Sequence, residues 1–187
     1  PNEQLKPEKV INYELGIIQT FFDNRLNLEL SVYELKANNL IQVVGVFPNA
    51  QRQNVGKLTN KGIEFSARYN VLKGLNIYAN YNYLMLEKPI LAAPRQQINF
   101  VVNYSYKIFS ISLNVQHIDK LYLTTNTENP ITQTYTLLNS RISLNPFSHL
   151  EVYFSANNML NQQYQINKGY PMPGINFNLG LNVSFKK

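Results

Sequence analysis

Hydrophobic and polar residues alternate along most of this chain. In INFNLGLNVSF (residues 175–185) every odd position is apolar, from Ile175 to Phe185, and every even position is Asn, Gly or Ser. Successive side chains of a strand point to opposite faces, so this is a two-sided strand of about eleven residues. The pattern recurs in LNLELSV (Leu26, Leu28, Leu30, Val32) and in LNIYANYNY (Leu75, Ile77, Ala79, Tyr81, Tyr83). It recurs again in QINFVVNYSY (Ile98, Phe100, Val102, Tyr104, Tyr106), FSISLNV (Phe109, Ile111, Leu113, Val115) and LEVYFSA (Leu150, Val152, Phe154, Ala156). Residues 13–21, 63–69 and 136–144 follow it less cleanly. Nine strands are predicted, and no helix.

The connections alternate between short and long. Short ones fall at Asp23-Asn24-Arg25, 70–74, Lys107-Ile108 and 146–149, where Asn and Gly tolerate positive φ and Pro presets its own. Long ones are expected near 39–58, 87–96, 119–133 and 163–173. One end of the sheet therefore carries tight turns and the other carries long loops.

Followed away from each short turn, the apolar stripe persists for about eight to ten residues and then becomes polar. Phe109 to Val115 leads to His117 and Asp119; Leu26 to Val32 leads to Glu34 and Lys36; Lys57, Thr59 and Lys61 precede Ile63 to Tyr69. A run of that length, tilted by about 45°, covers about 20–25 Å, the apolar height of a membrane barrel. The opposite stripe is mostly Asn, Ser, Gln, Thr and Gly. A soluble, ligand-binding β-sandwich would expose that stripe to water and would carry more Lys and Glu there. Its strands would also be shorter. The pattern favours an all-β, antiparallel, up-and-down transmembrane barrel wall, with the apolar stripe toward lipid and the amide stripe toward a wet interior.

Composition changes this picture little. No run of eighteen apolar residues exists, which excludes a membrane-spanning helix but not a barrel. Cysteine is absent, so disulfide and thiolate–metal chemistry fall away. The net charge of +6 has no dense Lys/Arg cluster behind it, and the basic footprint of a nucleic-acid binder is missing. The two histidines sit apart, His149 in a tight turn and His117 at a band edge, on opposite ends of the sheet. They form neither a metal pair nor a catalytic couple. No catalytic residue, metal or cofactor is expected, and an enzyme is not. The chain starts at Pro1 without Met, a basic n-region or an apolar h-region, so a processed chain or a fragment is expected.

Four stretches, taken in order, resemble the C-terminal barrel of TonB-dependent outer-membrane receptors. LKPEKVINYELGI (5–17) has a Pro-Glu pair followed by Tyr-Glu-Leu-Gly, and FFDNRLNLELSVYELKANNLIQ (21–42) has the following hairpin with its Asp-Asn-Arg turn. NVGKLTNKGIEFSARYN (54–70) carries Asn-x-Gly…Gly-x-Glu. ANNMLNQQYQINKGYPMPGINFNLGLNVSF (156–185) carries Asn-Met-Leu-Asn, a Tyr, and Gly-Tyr-Pro-x-Pro-Gly. Two departures stand out. Ile175 follows the last Pro-Gly, where the family often has Arg, and Phe185 is followed by Lys186 and Lys187 instead of ending the chain.

The resemblance implies an outer-membrane location in a Gram-negative bacterium. It also implies energy-coupled uptake of a scarce solute such as an iron chelate, haem, a cobalamin or a glycan. Such receptors close with about 22 strands around a plug. Nine strands cannot close alone under the even-number rule. Residues 1–187 are thus expected to be the C-terminal part of the barrel, a fragment or one piece of a split barrel, with plug and N-terminal strands outside this chain. The implied partners are outer-membrane lipid and lipopolysaccharide, the remaining barrel and plug, and an inner-membrane energy-coupling complex. A surface lipoprotein is a further candidate. The alternative function is a barrel scaffold for a surface lipoprotein or secretion assembly.

Candidate residues follow from the two stripes and the loops. Glu29, Glu64, Arg68, Arg141 and Glu151 are expected on the interior wall, Glu64 and Arg68 four apart on one face. Arg52, Arg95, Tyr122 and Tyr170 are expected in the outer loops, where recognition groups sit on a rigid scaffold. Tyr81, Tyr83, Tyr104 and Tyr106 are expected on the lipid face or in an interfacial girdle.

Overall fold

Each alternating run becomes a strand of one antiparallel sheet. The structure, a computed structural model, describes residues 2–44 and 48–185. The strands are β1 (Lys9–Phe21), β2 (Leu26–Val44), β3 (Gln51–Leu72), β4 (Leu75–Leu86), β5 (Gln96–Tyr106), β6 (Phe109–Tyr122), β7 (Thr132–Phe147), β8 (Leu150–Asn157), β9 (Gln165–Asn167), β10 (Tyr170–Pro171) and β11 (Asn176–Val183). Nine form a single sheet in the order β1-β2-β3-β4-β5-β6-β7-β8-β11, and β9 and β10 form a separate hairpin. No helix occurs among the described residues.

The register keeps the two stripes separate across the whole sheet. Ile17, Leu30, Phe65, Tyr81, Ile98, His117 and Thr136 stand in one row across β1 to β7. A lower row runs Phe21, Leu26, Tyr69, Ile77, Val102, Leu113 and Ser140. Rows that begin apolar at β1 thus turn polar further along, so they climb out of the apolar band. The strands are tilted against that band, as barrel closure demands. The outward stripe is bare: Leu179 is 78% exposed and Leu181 66%. The amide stripe opposite binds itself together, with Asn139 Nδ2 donating to Asn114 Oδ1 at 3.2 Å and Asn157 Nδ2 to Asn176 Oδ1 at 3.0 Å.

Two cross-strand pairs brace this inner stripe. Tyr33 lies over Gly62, and Tyr153 over Gly180. A Cβ at either glycine would collide with the ring. The small residue lets a large one lie flat on the sheet and cover its backbone.

The structure corrects the loop boundaries. The connection expected near 39–58 is mostly strand, because β2 runs on to Val44 and β3 begins at Gln51. Asn39, at a φ of 58°, absorbs a register shift there, and the alternation resumes beyond it. A bulge hid the continuing period. Residues 45–47 of that connection, and Lys186 and Lys187, lie outside the described residues. The connection near 119–133 shortens likewise to 123–131, with Lys120 at a φ of 50° in the irregular stretch. The last connection, near 163–173, holds the unforeseen β9–β10 hairpin.

Candidate functional site

Because the amide stripe faces the interior, the site is built from that stripe upward to the long-loop end. Low on the wall, Asn27, Glu29, Ser66, Arg68 and Tyr78 line a hollow of about 140 Å³. Glu29, Ser31, Glu64, Tyr78 and Asn80 line a neighbouring one of about 220 Å³. Arg68 and Glu64 share this stripe, yet Arg68 lies over the Tyr78 ring at 6.0 Å. Asn60 Oδ1 and Asn82 Oδ1 are buried with no hydrogen-bond partner among the described residues.

Arg141 and Glu151 meet near the turn end of β7 and β8. Arg141 donates to Glu151 at 3.0 Å, with Arg141 stacked 3.6 Å from the centre of the Tyr153 ring. Asn182 Nδ2 donates to the other carboxylate oxygen at 2.7 Å. Half-exposed as it is, this pair contributes under about 1 kcal/mol to stability, and its geometry fixes where the charges point.

At the loop end the inner stripe becomes apolar. Ile118, Leu121, Leu123, Tyr135 and Leu137 form the only buried hydrophobic cluster among the described residues. The β9–β10 hairpin folds over it: Tyr164 and Ile166 pack on the cluster, and Tyr164 lies 4.3 Å from Tyr135, ring to ring. Gln133 ties the two together, accepting from Gln165 N at 2.8 Å and donating to Gln163 O at 3.4 Å. The last long loop is thus a folded cap.

Its root is a clasp. Asn158 is 3% exposed. Its Nδ2 donates to Gln162 O at 2.9 Å and Pro173 O at 3.1 Å, and its Oδ1 accepts from Gln162 N at 2.9 Å. One amide therefore holds both ends of the loop. Asn161 Oδ1 adds a bond from Ile175 N at 3.0 Å. The Asn-Met-Leu-Asn stretch is explained by this geometry: both amides are needed at that spacing.

A larger cavity, about 610 Å³, opens on the other side of the mouth. The upper part of β3 has no β4 neighbour above the Asn60–Leu86 pair, so β2 and β3 rise as a free arm. The loops after β4 and β6 lean toward that arm, and Glu87 accepts from Thr59 N at 2.6 Å. Leu40, Leu58 and Ile90 supply apolar lining, and Lys57, Lys88 and Thr125 supply polar groups. Sequence reasoning had singled out neither this cavity nor Lys88.

The four expected loop residues are spread around the mouth. Arg52 lies in β3, not in a loop, and its carbonyl accepts from Asn2 Nδ2 at 2.9 Å. Tyr122 ends β6, and its carbonyl accepts from Ala92 N. Arg95 precedes β5 and donates to Tyr83 Oη at 3.1 Å, a bond that raises the guanidinium's pKa above its ordinary value. Tyr170 stands 73% exposed on β10. The structure does not gather these four into one pocket. Tyr81 and Tyr83 sit where the outward stripe turns polar, Tyr81 Oη donating to Gln96 Oε1 at 3.1 Å. His117 bonds Thr136 at 2.8 Å, and His149 stacks on Phe147 at 5.8 Å, so neither meets the other.

The family model for "TonB dependent receptor-like, beta-barrel" matches residues 1–159. A ferric-pyoverdine BN7/BN8 receptor of Pseudomonas putida is 27% identical over 183 residues, 90% of this chain and 21% of that protein. Among solved structures, the pyoverdine outer membrane receptor FpvA of Pseudomonas aeruginosa PAO1, bound to pyoverdine, aligns with a TM-score of 0.79 at 18% identity, covering 98% of this chain and 31% of that one. The ferric enterobactin receptor PfeA aligns at 0.81 and 19% identity, covering 98% of this chain and 32% of that one. The chain spans about a third or less of the length of these relatives.

Proposed function

Because this chain belongs to the TonB-dependent receptor-like β-barrel family, we propose that residues 1–187 are the C-terminal wall and mouth of an outer-membrane receptor that takes up an iron chelate. The relatives are receptors and transporters, not enzymes. The observation that carries the ligand class is the alignment over 90% of the chain with a receptor named for ferric pyoverdine. Haem, a cobalamin or a glycan are the competing solutes.

On this reading the inner wall meets a plug. Glu29, Glu64, Arg68, Arg141 and Glu151 present charge to it, and the unpartnered oxygens of Asn60 and Asn82 accept from it or from trapped water. The ligand meets the mouth, where Arg52, Arg95, Tyr122 and Tyr170 contact it from different sides. The outer edges of β1 and β11 carry no partner strand among the described residues, and an unpaired backbone group in lipid costs several kcal/mol. Further strands of the same receptor therefore close the barrel. An inner-membrane complex supplies the energy through a segment outside these residues, and lipid and lipopolysaccharide surround the outer stripe.

The test is uptake by cells with and without the full-length receptor. Radioiron delivered as ferric siderophores is expected to enter only with the receptor. Equal iron entry in both strains, with receptor-dependent entry of haem, cobalamin or glycan, would overturn the iron-chelate reading.

The β2–β3 arm favours a second role, docking of a surface lipoprotein. It rises beyond its neighbours with Val43 67% and Val55 54% exposed. Co-purification of a lipoprotein with the intact receptor, lost on Val43→Asp, tests it.

A further inference from the structure

We infer that the free upper edge of β3 binds an extended peptide in which acidic and apolar residues alternate, adding it to the sheet as a further strand. The site is independent of which solute the receptor takes up. The sequence explains why the edge is free. β4 ends at Leu86, and Pro89 just beyond it lacks the N–H that a longer ladder needs. β3 runs on regardless, pairing only with β2 from Leu58 up to Gln51. Over that stretch no strand covers its other side among the described residues.

One bond shows what the edge takes. Thr59 N, the first donor above the last β4 pair, is met by Glu87 Oε2 at 2.6 Å. Alternate residues of a strand present their backbone groups to the same side, so the Lys57 N–H and C=O face the same way. At the far end the Arg52 carbonyl accepts from Asn2 Nδ2 at 2.9 Å. Between these two side chains about six residues of edge stand open, roughly 20 Å of strand. The apolar band ends lower, at the row of Leu15, Val32 and Ile63, so water meets the edge and a partner strand can replace it.

The cavity of about 610 Å³ wraps this edge. Lys57 and Leu58 are neighbours in the strand and point to opposite faces, yet both line it. The loop after β4 supplies the facing wall, with Lys88, Ile90 and Leu91. A strand laid along the edge therefore meets the Lys57 ammonium on one face and Leu58 on the other. Side chains that alternate acidic and apolar fit both. Lys57, Lys88 and Arg52 stand around the slot, while the Glu87 carboxylate is already bonded to Thr59 N. The surplus positive charge selects an acidic occupant. It also disfavours a second copy, since two arms joined edge to edge would crowd Lys57 and Arg52 of both onto one ladder.

The full-length receptor carrying this chain is purified, checked for heat-modifiable folding, and titrated into labelled octapeptides with fluorescence anisotropy as the readout. The probes are alternating Glu-Val, alternating Lys-Val, and Glu-Val with every backbone nitrogen methylated. Glu-Val is expected to bind. The methylated form should bind about thirtyfold more weakly, at the usual worth of two hydrogen bonds, and Lys-Val about tenfold more weakly. Lys57→Glu should reverse the preference between Glu-Val and Lys-Val, and Lys73→Glu at the turn end should leave it unchanged. Hydrogen exchange across 53–58 should slow when Glu-Val is added. Full affinity for the methylated peptide overturns strand pairing. Equal affinity for the two charge types, or a Lys57→Glu receptor that still prefers Glu-Val, overturns the acidic occupant. Slow exchange across 53–58 in the peptide-free receptor, in a dimer or with a co-purifying protein, overturns the peptide as occupant. No binding of Glu-Val to the folded wild-type receptor overturns the site.

Discussion

The loop ends of β6–β7 and of β2–β3 are built from the same alternating strands, yet one is capped and the other is bare. Over β6–β7 the inner stripe turns apolar at Ile118, Tyr135 and Leu137, and a hairpin rooted by Asn158 covers it. Over β2–β3 the strands rise as an arm, bound by their own ladder and by the N-terminal segment, through Asn54 and Lys6. The difference teaches that in such a wall an apolar residue on the wet stripe marks a place where another piece of chain sits. One on the outer stripe marks only lipid.

Substitutions that treat the two ends alike should separate them. The largest effect is expected at Tyr135→Ala, which removes the centre of the buried cluster and should cost the full-length receptor about 4 kcal/mol. Val43→Ala on the arm should change the unfolding free energy, measured for both variants by urea titration, by under about 0.5 kcal/mol. Equal shifts would erase the distinction. Next comes Asn158→Ala, which strands the polar ends of the loop and keeps a φ of 50°, at about 3 kcal/mol. Hydrogen exchange across 162–173 should then accelerate while exchange along β2 and β3 does not.

A third test compares the β2–β3 pair with the β8–β11 pair, where the wall is built alike. Gly62→Ala in β3 and Gly180→Ala in β11 push against Tyr33 and Tyr153 in the same way, so each should cost about 1–3 kcal/mol. Adding Tyr33→Ala or Tyr153→Ala should remove most of the clash in a double-mutant cycle. The smallest effect belongs to Arg141→Ala, under about 1 kcal/mol, since the pair with Glu151 is partly exposed.

The wall was legible before any coordinates. Strand period, turn chemistry and the height of the apolar band all come from local rules, so Leu26–Val32 and Phe109–Val115 fell on the expected face. What local rules missed came from long range or from irregularity. The bulge at Asn39 concealed the arm, and the cap over Tyr135 depends on residues about thirty positions away. The TYTLL run, Thr134 to Leu138, did hold a signal: its inner positions Tyr135 and Leu137 are apolar where that stripe is amide elsewhere, as in a place covered by another segment. Arg52, Arg95, Tyr122 and Tyr170 were found by type and by position near loops. Nothing in the sequence says that they stand apart.

The clasp at Asn158 separates two jobs that a surface loop must otherwise do with the same residues. What anchors the segment lies at its foot and against the wall, while the Lys168 and Tyr170 side chains at its crest carry none of that burden. Two of the three crest side chains are thus interchangeable, while Gly169, at a φ of 85°, keeps the turn. A change of side chain at Lys168 or Tyr170 alters what the hairpin presents outward and leaves the doorway beneath it as it was.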